Sequence, residues 1–143
     1  MASAEDLIQS HPEANIIYGI NADSALGALA AYEAAGRGRA KGGVPLTEII
    51  VSTDGSEQEA VKIYDPTSAL KITMALSPKN FAKAHLDMIL KVINKQYAID
   101  QAVDLKVGDV VLDYWSTPIE KFQDFLTKEY FSKVNLKELM QKK

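Results

Sequence analysis

The 143-residue chain has no cysteine. Disulfides, thiolate nucleophiles and cysteine-built metal sites are therefore excluded, while the compartment stays open because exported proteins can also lack disulfides. The two histidines, His11 and His85, are far apart in sequence with no histidine or carboxylate at ligand spacing, so no metal site is expected. No apolar run approaches the ~20 residues of a membrane span. The opening MASAEDLIQSHPEAN has neither the cationic start nor the apolar stretch of a signal peptide, so no membrane insertion is expected. Positive charge is also short: 16 Lys and Arg against 19 Asp and Glu leave a net charge of -3 and no broad field for a phosphate backbone. Only Arg37 to Lys41 and the tail Lys142-Lys143 form local basic patches, so no nucleic-acid partner is expected. No serine sits in a G-x-S-x-G elbow. The stretch GRGRAKGG follows a helix and matches neither G-x-G-x-x-G nor the P-loop, so it reads as a mobile surface loop. Neither a cofactor nor a catalytic group is expected.

What is present is an ordinary globular composition, 47% hydrophobic and 24% charged, of a length that fits one domain. Ser3 and Asp6 open a short helix that Pro12 ends. NIIYGI reads as a buried strand, followed by a helix capped by Asp23 or Ser24, with Gly36 as its left-handed stop. LTEIIVS is a second strand. Ser56 and Glu59 have capping-box spacing for a short helix, and LKITMAL is a third strand. Ser77-Pro78 opens a helix to about Lys95 whose Phe81, Ala82, His85, Leu86, Ile89, Val92 and Ile93 repeat at three and four residues, as on a helix packed against a sheet. QAVDLKVGDVVLDYW reads as extended, with a turn or bulge at Gly108-Asp109. Thr117-Pro118-Ile119-Glu120 caps a further helix, and the tail from Asn135 reads as a last helix or a frayed end. Strands separated by helices need crossovers, so the expected fold is α/β: a mainly parallel, Rossmann-like or flavodoxin-like sheet with helices on both faces.

Ligands of such sheets lie beyond the carboxyl ends of the strands. Of the residues there, Asn21 offers a donor and an acceptor and Asp54 two acceptors, a set suited to hydroxyl groups. Asn and Asp also favour turns and helix caps, so on spacing alone both readings stand. Asp109 and Asp113 read as solvated edge charges, and Tyr114 and Trp115 either stack on a sugar ring or pack. A nucleotide-binding first turn is disfavoured because NADSALG lacks the glycines for close backbone approach.

Taken together, LIQSHPEANIIYGINADSALGALAAYEAAG, EIIVSTDGSEQEAVKIYDPTSALKITMALSPKNFAKAHLDMILKVI and VDLKVGDVVLDYWSTPIEKF resemble the C-terminal lobe of type I periplasmic sugar-binding proteins of the ribose/galactose-binding class. These are receptors of ABC transporters and share their core with lactose-repressor-type regulators. The resemblance runs from about Glu5 to Phe122 and implies that Asn21 and Asp54 bind sugar hydroxyls in a cleft between two lobes. It departs at Leu76, where the family often has a polar residue, at Ala22, where it often has an aspartate, and at Ser52 and Thr53. It implies one domain, 1–143, that is part of a lobe with a C-terminal helical extension over 116–143. The implied location is periplasmic or extracellular, and the implied partners are a small-molecule sugar, an N-terminal lobe and a membrane permease. A parallel sheet cut in this way is expected to self-associate as a homo-oligomer or domain-swapped dimer. The alternatives are the effector-binding lobe of a transcriptional regulator and a non-binding assembly fragment.

Overall fold

The computed structural model describes residues 2–97 and 109–141. The elements in chain order are α1 (Ala2–Ser10), β1 (Ile16–Tyr18), α2 (Ala22–Ala34), β2 (Ala40–Lys41), β3 (Val44–Pro45), β4 (Ile49–Asp54), α3 (Glu57–Ile63), β5 (Leu70–Ala75), α4 (Pro78–Ile93), β6 (Val110–Asp113), α5 (Ile119–Glu129) and α6 (Leu136–Gln141). The sheet order is β1-β4-β5-β6; β1, β4 and β5 are parallel and β6 is antiparallel to β5. This is the expected α/β fold with a mostly parallel sheet. The turn or bulge expected at Gly108-Asp109 falls partly, and the Lys142-Lys143 patch wholly, outside the described residues.

The parallel strands neighbour each other in chain order, so both right-handed crossovers step the same way and set α2 and α3 on one face. Alternation and register put Ile17, Ser52, Thr73 and Leu112 on that face. Ile17, Leu29, Tyr32, Ile50, Ile63, Leu112, Phe122, Leu126 and Leu136 form its core with the alanines of α2. The expected cover of both faces is thus met on one among the described residues. The other face leaves Ile16, Tyr18, Met74 and Val111 exposed.

The periodicity of α4 gives a helix, capped as expected by Ser77, whose hydroxyl accepts from the Asn80 amide at 3.1 Å. It does not pack on the sheet. None of its residues is fully buried, because β6 follows it antiparallel and no crossover draws the helix across the strands. His85 lies along this helix, its Nδ1 2.8 Å from the Phe81 carbonyl.

Small side chains on α2 have a clear cause: a Cβ on Gly19 of the preceding turn would sit 2.4 Å from the Ala25 nitrogen, so strand end and helix nearly touch. Gly36 ends α2 at φ 77 in a Schellman motif, with Arg37 N–H donating to Tyr32 O and Gly36 N–H to Glu33 O. The Ser56–Glu59 capping box is present. Thr117 does not cap α5; its Oγ1 accepts from the Asp113 amide at 3.1 Å, inside a turn that Asp113 ties to Trp115 and Ser116.

GRGRAKGG is not a loose loop. It folds as the β2-β3 hairpin, held by a buried carboxylate ten residues on: Arg37 Nε and Nη2 each lie 3.0 Å from Glu48 Oε2, and the Gly38 amide also donates to Glu48. Arg37 further donates to the carbonyls of Pro12 (2.9 Å) and Ala14 (3.1 Å).

Lys71 of β5 is fully buried. Its ammonium donates to the carbonyls of Ile63 (3.1 Å) and Asp65 (2.6 Å) and lies 4.1 Å from the Tyr114 ring centre. Burial pushes its pKa down to about 8 from 10.5, opposed in part by the Asp65 charge. Between those two pH values the unfolded chain holds a proton that the folded chain has released, so stability rises with pH across the window. Urea denaturation of wild type and Lys71→Met at pH 7.5 and 10 is expected to move their difference in favour of wild type by about 2 kcal/mol. A difference independent of pH would mean that the ammonium is not desolvated.

Candidate functional site

Because β1, β4 and β5 are parallel, their carboxyl ends share one rim of the sheet, and Asn21 and Asp54 meet there. Asn21 is the N-cap of α2: its backbone stays extended (φ -151, ψ 173) and its Oδ1 accepts from the Ser24 amide at 2.8 Å. The helix therefore starts before the expected caps, Asp23 and Ser24. All three types can cap, but Asn21 is the one whose backbone stays extended ahead of the helix.

Asp54 ends β4, and its Oδ2 accepts from the Ala22 amide at 2.9 Å. A carboxylate from the neighbouring strand thus meets one of the unpaired donors at the start of α2, where the helix dipole favours negative charge. The Asp54 backbone sits at φ 116, in a region that costs a non-glycine residue about 1–3 kcal/mol. Its carbonyl accepts from the Leu76 amide (3.0 Å) and the Tyr130 hydroxyl (2.8 Å). Gly55 follows at φ 80, where a Cβ would lie 2.5 Å from that of Ala75.

Tyr130, just beyond α5, was not a candidate from sequence. Burial, helped by the Asp54 and Glu59 charges, raises its pKa to about 12, so it stays a neutral donor to Asp54. The one signal for it is an isolated tyrosine in the C-cap position, which reads equally well as packing. Leu76 has no polar side chain to offer, but its amide fixes Asp54. Thr53 Oγ1 is 2.7 Å from the hydroxyl of Tyr18.

With these bonds made, Asn21 keeps its Nδ2 donor and Asp54 its Oδ1 acceptor unpartnered among the described residues. One donor and one acceptor on an exposed and a half-buried side chain can grip a hydroxyl from one side. A cavity of about 260 Å³ lies between α5 and α6, lined by Ile119, Gln123 and Leu136.

Tyr114 and Trp115 do not join the rim. Val110 of β6 pairs with Ala75 at the rim end, and Asp113 with Ile72, so the turn carrying Trp115 leaves from the other end of the sheet. Tyr114 packs over Lys71, which settles it as a packing residue. Asp113, expected as a solvated edge charge, is drawn into its turn: burial raises its pKa, but bonds from Ser116, Trp115 and Thr117 outweigh this and lower it.

No protein-family model and no curated protein sequence matches the chain. Among solved structures it is similar to a galactofuranose binding protein (TM-score 0.60, 20% identity, 91% of this chain and 40% of that one). It is likewise similar to an ABC transporter periplasmic solute binding protein from Actinobacillus succinogenes with bound D-allose (TM-score 0.56, 22% identity, 86% of this chain and 37% of that one). A third is the periplasmic binding protein of an arabinose ABC transporter from Shewanella (TM-score 0.57, 22% identity, 91% and 39%). The chain spans about two fifths of the length of these proteins, and at such identities the likeness is one of fold, to part of each of them.

Proposed function

We propose that the chain is part of the substrate-binding component of a carbohydrate ABC transporter, a non-catalytic domain in which Asn21 and Asp54 form one side of a sugar site. The observation that carries this reading is the pair itself. Two polar side chains beyond the ends of adjacent parallel strands meet at the start of α2, where Asp54 accepts from the Ala22 amide and Asn21 from the Ser24 amide; Asp54 sits at a strained backbone position, and each keeps one hydrogen-bonding atom free among the described residues. Strained backbone positions of that kind cluster at ligand-binding sites, and this one carries a free acceptor besides the oxygen bonded to the Ala22 amide.

An exposed Asn21 and a half-buried Asp54 that grip from one side fit a site completed by closure of a second lobe. That lobe, a membrane permease and a periplasmic or extracellular location are the partners and place this reading implies. With half the contacts missing, one lobe binds weakly, with a dissociation constant of ~1 mM or above. Neither a cofactor nor a metal enters the reading.

The test is a thermal-shift screen of pentoses, hexoses and inositols, including D-allose, L-arabinose and galactose, with Asn21→Ala and Asp54→Ala alongside. A sugar that raises the melting temperature of wild type and of neither variant supports the site. A sugar that shifts all three equally places binding elsewhere.

A further inference from the structure

The strand tips along the rim are not alike. The amide of Leu76, just past β5, donates to the Asp54 carbonyl at 3.0 Å, and Asp54 accepts from the Ala22 amide next to Asn21, so Asn21, Asp54 and Leu76 follow one another across the rim. At ~4.8 Å between neighbouring strands the row is about 10 Å long, the reach of one sugar ring with its substituents. Its polar groups gather at one end. Asn21 keeps Nδ2, Asp54 keeps Oδ1, and the exposed Asp23 follows in the first turn of α2, whereas Leu76 has only carbon to offer. Ser77, the next residue, spends its hydroxyl as donor to Glu129 and as acceptor from the Asn80 amide.

A second apolar side chain is held at the same end. The chain leaving α5 is tied to the rim residue by residue: Glu129 accepts from Ser77 beside Leu76, and the Tyr130 hydroxyl donates to the Asp54 carbonyl. Phe131 follows at φ 54, in the left-handed region that a bulky side chain seldom adopts, and it is 75% exposed. It stands just past the helix end, where glycine is the usual residue, and so exposed a ring contributes little to the core.

We propose that the sugar of this site is a 6-deoxyhexose, lying along the row with ring hydroxyls on Asn21 and Asp54 and its methyl group against Leu76 and Phe131. The inference rests on the reading of Asn21 and Asp54 as a sugar site and names the class of sugar that site takes. A hydroxymethyl group at the Leu76 end would lose water and meet no partner. A methyl group there takes apolar surface out of water on both sides of the contact. The deoxy sugar therefore binds roughly fivefold more tightly than its hydroxylated counterpart, less than the about tenfold or more of an enclosed pocket because the contact is made from one side.

The test is a set of NMR shift titrations with sugar pairs that differ only in that hydroxyl: L-fucose with L-galactose, L-rhamnose with L-mannose, and D-fucose with D-galactose. In at least one pair the deoxy sugar is expected to bind roughly fivefold more tightly, with shifts at Ala22 and Asp54. Leu76→Asn is expected to bring that pair to parity while the shifts at Ala22 and Asp54 persist. Phe131→Gly, which suits φ 54 and so keeps the helix stop, is expected to reduce the preference. A hydroxylated sugar that binds as tightly as its deoxy partner, or more tightly, in every pair overturns the proposal and leaves the sugar site standing. So does a preference that survives both variants. No shift at the rim with any sugar removes the site itself, and the proposal with it.

Discussion

Replacing Arg37 by methionine is expected to destabilise the chain by about 3–5 kcal/mol, the usual result of removing one partner from a buried ion pair. The Glu48 side chain is wholly buried and takes bonds from Arg37, Gly38 and Thr47. Without the guanidinium a carboxylate stays in the interior with its charge uncompensated, and the Pro12 and Ala14 carbonyls lose their donor. The double variant Arg37→Met/Glu48→Met is expected to recover part of the loss, because the orphaned charge costs more than the pair contributes. At about 3 °C per kcal/mol for a chain of this size, the single variant should melt about 10 °C lower. A loss under about 1 kcal/mol would reduce the pair to a surface contact. The consequence reaches the rim, since Arg37 ties the end of α2 to the segment entering β1, and these two elements carry Asn21 between them.

Replacing Asp54 by glycine separates stability from binding. Glycine adopts φ 116 without penalty, so the variant regains about 1 kcal/mol or more of strain. It loses the acceptor of the Ala22 amide, which costs about the same. The expected net change in stability is within about 1 kcal/mol, while sugar binding falls below detection. Denaturation and ligand titration on the same sample check both. A variant destabilised by several kcal/mol would make Asp54 a structural residue, and one that binds normally would remove it from the site. Tyr130→Phe, which frees the Asp54 carbonyl from one donor, should weaken binding with Asp54 still in place.

Much of this was legible in residue order. Strand-helix alternation predicts the mainly parallel sheet, and the rule of strand ends singles out Asn21 and Asp54 as candidates. Caps written within a few residues, such as Ser56 with Glu59 and Ser77 with Pro78, are local and legible in the sequence. What escaped depends on contacts distant in sequence. Glycines and arginines in GRGRAKGG look mobile until Glu48 is known to be their partner. The periodicity of α4 marks an apolar side but says nothing of what covers it. Lys71 looks like an ordinary solvated strand residue, and only the fold places the Ile63 and Asp65 carbonyls over its ammonium. Tyr130 reaches Asp54 across 76 residues, a distance no short motif spans.

The most direct measurement is amide chemical-shift mapping by NMR, titrating the sugar panel to high millimolar concentration, which detects weak one-sided binding. Shifts are expected to centre on Ala22, Asp54 and Gly55, with saturation at one sugar per chain, and to vanish in Asn21→Ala/Asp54→Ala. No shift with any sugar, or shifts that persist in the double variant, would contradict a sugar site at this rim.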